Sequence, residues 1–260
     1  MPLVNDPDLI KAQYRNGDKL DIRIRLHQKY SLNKEPFGEW IHAHYHLAPG
    51  MRVLELGCGT GSMWHEPARW LPQGAELILS DFSEGMLEQA QRNVPPLPGI
   101  TFRQVDIRQI PFEDDTFDVV IANMMLYHVP DLHGALAEVA RVLKPEGRFF
   151  CATVGERGIA RWLAEVLGCE EADRYPFSLQ NGGDALGRHF DSVQKHIRED
   201  GLRVTDPEDL TDYVLSMASF SGLRQQPREQ LTAQLVAQAV DGVIAIPKEY
   251  GLFEASQPLG

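Results

Sequence analysis

The run Val53-Leu54-Glu55-Leu56-Gly57-Cys58-Gly59-Thr60-Gly61 constrains this chain more than any other stretch. An apolar segment carrying one acidic residue breaks into three glycines at alternate positions, and a helical pattern follows. This is a strand entering a tight turn whose backbone a ligand must approach. A Cβ would obstruct both the positive-φ turn and that approach. Asp81, at the end of a second apolar run, follows Gly61 by twenty positions, a spacing that puts a carboxylate within reach of the two hydroxyls of a ribose. The pattern therefore points to an α/β chain holding an adenosine-containing ligand.

The glycine spacing narrows the ligand. A dinucleotide fingerprint places its third glycine or alanine at the sixth position, which here is Ser62. No lysine follows the glycines, which excludes a phosphate-cradling P-loop. The pattern Glu55-x-Gly57-x-Gly59-x-Gly61 resembles the first motif of the class I S-adenosylmethionine-dependent methyltransferases. The resemblance implies that this loop, Cys58 included, wraps the amino-acid end of the cofactor, with Glu55 helping to hold its ammonium. A cationic cofactor suits an acidic loop better than a pyrophosphate does.

Further segments resemble the same family in order. The apolar run 75–80 reads as a buried parallel strand, and Ser83 as the N-cap of a helix over Glu84–Asn93. Asp81-Phe82-Ser83-x-x-Met86-Leu87 is similar to the second motif, which implies Asp81 on the ribose with Phe82 and Met86 beside the adenine. Core packing is the competing role for Met86. A third strand over 100–105 ends at Asp106-Ile107, for which the resemblance implies a carboxylate on the adenine amino group and a backbone N–H on a ring nitrogen. Pro111-Phe112 through Asp118 leads into Val119-Val120-Ile121-Ala122-Asn123, a central strand whose tip opens toward a ligand. By resemblance, Asn123 and Met124 lie beside the amino-acid moiety. A helix over 131–143 and a fifth strand over 148–154 complete a likeness spanning 51–154.

The expected architecture is a Rossmann-like, mostly parallel sheet of seven strands flanked by helices. Residues 1–46 form an N-terminal helical lid, 47–155 the cofactor-binding core, and 156–260 the rest of the core with a helical cap inserted after strand 5. Leading helices are expected over 18–30 and 36–46, with Lys19, Arg23, Arg25 and Lys29 on one wet face. Beyond the fifth strand, helices are expected over 158–167, 206–219 (Asp206 capping, Pro207 first) and 225–240. Short strands are expected over 192–197, 202–205, 242–246 and 251–255, with Pro247 interrupting the last pair.

The implied chemistry is methyl transfer to oxygen, nitrogen or carbon of a small-molecule acceptor, leaving S-adenosylhomocysteine. His128, just past the fourth strand, is the candidate general base, because an imidazole exchanges protons near neutrality. Packing at the helix entry is its alternative role. From the lid, Tyr14 and Tyr30 are the candidates for reaching the ligand, with His27 and Ser31 as further polar residues there. His42, His44 and His46 form H-x-H-x-H. That pattern admits a metal, but no acidic or cysteine cluster accompanies it, so solvated histidines at a helix end are expected and no metal is assigned.

A formal net charge of −12 over 260 residues disfavours duplex nucleic acid or an anionic membrane as partner. The first residues show no signal peptide and no stretch approaches spanning length. The three cysteines, Cys58, Cys151 and Cys169, lack paired spacing, and a reduced cytoplasmic setting is expected. Methylation of RNA or protein, a SAM-binding regulator without chemistry, and an NAD-dependent dehydrogenase are the competing readings. Ser62 opposes the last of these.

Overall fold

The computed structural model describes residues 18–169 and 175–259. Seven strands form one sheet in the order β3-β2-β1-β4-β5-β7-β6. They are β1 (Arg52–Leu56), β2 (Glu76–Asp81), β3 (Ile100–Gln104), β4 (Phe117–Ile121), β5 (Leu143–Val154), β6 (Phe190–Val204) and β7 (Ile244–Pro258). The first five run parallel, while β7 lies antiparallel between β5 and β6. The order reverses between β1 and β4, so the crevice for a ligand opens at the carboxyl ends of those two strands.

The chain visits both faces of this sheet. Val53 to Leu56 and Val119 to Ile121 are buried on alternate sides, as parallel strands covered by helices require. On one face lies α2 (Phe37–Tyr45), which packs Ile41 and Tyr45 against Val53, Ile121 and Phe150. The short α3 (Pro67–Trp70) and α4 (Glu84–Asn93) complete that face. Ser83 caps α4 by accepting from the Met86 N–H. On the other face α5 (Leu132–Val142), capped by Asp131, buries Leu136, Val139 and Val142 beneath β4 and β5.

A separate apolar cluster underlies the cap. It joins α1 (Asp18–Tyr30), α6 (Ile159–Leu167), α8 (Pro207–Ser216) and α9 (Arg228–Val236) to Leu202, Val204, Ile244 and Ile246 of β6 and β7. The short α7 (Gly182–Leu186) instead joins the main core through Leu186. The two leading helices thus part company: α1 packs with the cap and α2 with the sheet. The four bases of α1 do not form a single wet face either. Lys29 pairs with Asp209 on α8 at 2.7 Å, and Arg23 turns inward.

Two expected strand pairs are instead two long strands. β6 and β7 remain registered from Phe190↔Pro258 to Val204↔Ile244, through Pro247 opposite Gly201. Before Tyr250, β7 has no β5 partner in the register. A residue without an N–H is tolerated there because one side of the strand is open. The last cap helix is shorter than expected, and α8 gives way after Ser216 to a 3₁₀ stretch over Ala218–Gln225.

Two polar clusters fasten the connections. Asp200 and Lys248 form an ion pair at 2.5 Å with both side chains almost wholly buried. Ser31 donates to Asp200 and accepts from Lys248, while the Asn33 and Gly201 N–H groups occupy the other carboxylate oxygen. The segment after α1 is thereby anchored to β6 and β7. On the opposite side, Arg141 of α5 donates to the carbonyls of Ile110 and Phe112 and pairs with Glu138, which accepts from the Ile110 N–H. This clamp fixes the loop between β3 and β4. Arg141→Ala is expected to destabilise the fold by about 2 kcal/mol, since it leaves two half-buried carbonyls unpaired. Thermal denaturation of the two proteins measures the loss.

Candidate active site

The glycine loop owes its shape to three residues in left-handed backbone. Gly57, Gly59 and Gly61 have φ of 71°, 56° and 75°. A Cβ on Gly57 would stand 2.9 Å from Met125 Cγ, and one on Gly61 would stand 2.6 Å from Val94 Cγ2. A Cβ on Gly59 would meet Leu20 of α1 at 3.4 Å, so the start of α1 lies over this bare loop. The Cys58 N–H donates to Ser80 O and the Gly61 N–H to Cys58 O, closing the turn. The Cys58 thiol is buried, and burial pushes its pKa well up.

Two acids flank the loop. Glu55 is 2 % exposed and accepts from the Trp64 indole N–H. Burial pushes its pKa up to about 7, the indole bond opposes that rise, and Asp81 adds to it. Asp81 accepts from the Gly59 N–H (2.9 Å) through one oxygen and from the Ser83 N–H (2.8 Å) through the other. Burial also raises its pKa. A carboxylate offers about four lone-pair directions, so both oxygens retain capacity for a diol. A buried acid beside a half-buried one favours a cation between them.

The remaining expected contacts are distributed along neighbouring strand tips. Phe82 is half-buried and Met86 fully buried. Asp106 receives the Arg108 guanidinium on both oxygens (3.0 and 2.6 Å), which holds its carboxyl below the usual range. The Ile107 side chain is buried in the main core. Asn123 donates to the Tyr45 hydroxyl (2.6 Å) and accepts from the Ala152 N–H (3.1 Å), so its amide ties β4 to β5 and α2. Met124 follows at φ 54°, unusual for a side-chain-bearing residue, and its N–H donates to Ala152 O.

Of the candidates for chemistry, His128 ends a 3₁₀ turn over Leu126–His128, with its ring 4.5 Å from that of Tyr127. Tyr30 donates to Asp209 (2.7 Å) and is buried in the cap cluster. Tyr14 lies outside the described residues. His42 is not solvated as expected. It is buried, stacks on Trp70 at 4.6 Å and bonds Met63 O, and burial pushes it down to about 4. His44 bonds Trp40 O instead of facing His42, and His46 closes α2 in left-handed conformation.

A family profile described as a methyltransferase domain matches residues 54–151, the segment that builds this loop and these strand tips. Residues 54–151 thus carry a methyltransferase domain. The chain is 38 % identical over 112 residues to a demethylmenaquinone methyltransferase of Symbiobacterium thermophilum, covering 42 % of this chain and 45 % of that one. It spans about half the length of the first such relatives it matches. It is 29 % identical over 197 residues to the 27-O-demethylrifamycin SV methyltransferase of Amycolatopsis mediterranei, covering 72 % and 68 % of the two chains. A solved putative methyltransferase from an antibiotic biosynthesis pathway of Anabaena variabilis superposes with a TM-score of 0.63 at 18 % identity, covering 84 % and 96 %. At that identity the likeness concerns the fold. No described helix is long and apolar enough to cross a membrane.

Sequence reasoning missed Trp64, Arg108 and Tyr45, the partners of three expected contacts. Only Trp64 left a trace, as a large aromatic residue in the turn just after the glycines.

Proposed function

We propose that this chain transfers a methyl group from S-adenosylmethionine to a small-molecule acceptor. The observation that carries the reading is the triple left-handed glycine loop beside a buried and a half-buried acid at the switch point of the sheet. The residues fit the cofactor: a Cβ-free cradle, a buried carboxylate for an ammonium, and a second carboxylate for a diol. When bound, S-adenosylmethionine supplies a methyl group on a sulfonium, an electrophile with a good leaving group. Glu55, Asp81 and the bare loop hold it, with Asp106 and the Ile107 N–H at the adenine end. Met124, whose strained backbone projects at the tip of β4, borders the site of transfer. The protein's remaining tasks are to align the acceptor behind the methyl and to exclude water. The small-molecule relatives and the acidic surface support a small acceptor.

In this reading His128, just past β4, takes a proton from the acceptor. His128→Ala is expected to lower turnover about a hundredfold while leaving S-adenosylmethionine affinity within twofold. S-adenosylhomocysteine release and calorimetry read the two quantities, and equal turnover rejects the assignment. For the reading as a whole the test is calorimetry of the folded protein with S-adenosylmethionine, where absence of binding overturns it.

A further inference from the structure

A cluster of phenols stands one strand beyond the cofactor crevice. Tyr250 of β7 lies opposite Val154, the last residue of β5, and so on the carboxyl edge of the sheet. Its hydroxyl bonds His27 Nε2 at 3.1 Å, and the His27 ring meets the Tyr213 ring edge-on at 5.7 Å. Tyr127, three residues past Met124, packs against Tyr175 at 5.7 Å. The groups form one neighbourhood, because the hydroxyls of Tyr213, Tyr127 and Tyr175 all act on that of Tyr250. The cluster is assembled from α1, the segment after β4, the segment before α7, α8 and β7. Tyr127, Tyr175, Tyr250 and His27 are each half-buried.

Among the described residues, the charge in this neighbourhood is mostly positive. Arg23 acts on Tyr213, Tyr250 and His27, and Lys248 lies 4.8 Å over the Tyr250 ring. The one carboxylate acting on His27, Asp200, is committed to Lys248. Burial first, then Lys248, push the imidazole down to about 3. The His27–Tyr250 pair is therefore neutral at any physiological pH. Among the described residues, His27 Nδ1 is enclosed without a partner, so the ring has no second polar anchor and serves Tyr250 alone.

Resting on the methyltransferase reading, we propose that the acceptor is a hydroxyl-bearing ring compound, neutral or anionic, whose oxygen is received by Tyr250 with His27 as its positioning residue. Flat rings stack on the phenols, and neutral hydroxyls pair with an oxygen acceptor without a desolvated counter-charge. Among the described residues, an ammonium would meet cations there and no carboxylate acting on His27 other than the committed Asp200.

Phenol, toluene and benzylamine test this on protein saturated with S-adenosylhomocysteine, by NMR titration. Phenol is expected to bind at least tenfold more tightly than benzylamine. Tyr250→Phe should weaken phenol about tenfold and leave toluene and S-adenosylhomocysteine within twofold. His27→Asn should weaken phenol but not toluene, a selectivity that a merely structural role would not produce. Benzylamine binding as tightly as phenol, phenol failing to bind, or phenol affinity unmoved in both variants overturns the proposal. If S-adenosylhomocysteine itself does not bind, the cofactor reading falls, and that result is separate from any phenol result on loaded protein.

Discussion

Gly61→Ala is expected to cost the folded protein about 3 kcal/mol and to weaken S-adenosylmethionine binding at least about a hundredfold. Two effects combine. The alanine must hold φ near 75°, a region that L side chains rarely adopt, and its Cβ arrives 2.6 Å from Val94 Cγ2. Ala90 stands at 3.3 Å behind it, so the new methyl group cannot turn away. The loop moves instead, and a displacement of about 1 Å in a backbone cradle is enough to disrupt binding. Adding Val94→Ala to Gly61→Ala removes the clash but not the torsional strain. The double variant should therefore recover part of the melting temperature and little of the affinity. Full affinity in the single variant would show that the loop does not touch the ligand.

Affinity for S-adenosylmethionine is expected to rise with pH from 5 to 7, by up to about tenfold per unit, and to level off above that. Glu55 is the cause. Its folded pKa of about 7 lies above the ordinary carboxyl value, so the folded empty protein retains a proton that the unfolded chain gives up. Stability of the empty protein therefore falls as pH rises from about 4.5 to 7, by up to about 3 kcal/mol. A cationic ligand reverses the preference, because it binds the ionised carboxylate. An α-amino group loses its own proton near pH 8, so affinity should decline again beyond that point. Glu55→Gln keeps an acceptor for the Trp64 indole and removes the titration. It should bind more weakly at pH 7.5 and show no rise between pH 5 and 7. Calorimetry across that range measures both, and a rise that persists in Glu55→Gln assigns the proton elsewhere.

The core was legible because its signals are local. Apolar runs such as Val53 to Leu56 mark strands buried on both faces, and Ser83 and Asp206 cap their helices within two or three residues. The left-handed glycines announced themselves by spacing. What escaped was set by partners distant in the chain. Pro247 reads as a strand breaker, yet the open side of β7 tolerates it. Arg23 reads as one of four surface bases because nothing near it in sequence encodes the phenols of Tyr213 and Tyr250. His27 and Tyr250 are 223 positions apart, and Tyr30, their rival in the same helix, turns to Asp209 on α8. Trp64 and Arg108 illustrate a subtler limit. Motif spacing picked out Glu55 and Asp106, but not the side chains already bonded to them.

The enclosed Lys248–Asp200 couple has a mechanical consequence. Shielded from solvent ions, it keeps its grip at ionic strengths that loosen the exposed Lys29–Asp209 contact. The carboxyl end of α1 is thus a fixed pivot, while the opposite end rests Leu20 against the glycine bend. At 1.5 Å per residue the arm from Ser31 to Leu20 is about 16 Å long, and a swing of about 10° lifts its tip by about 3 Å. That shift is close to the 3.4 Å at which Leu20 would meet a Cβ on Gly59, so a modest tilt of α1 would lift this side chain away from the glycine bend.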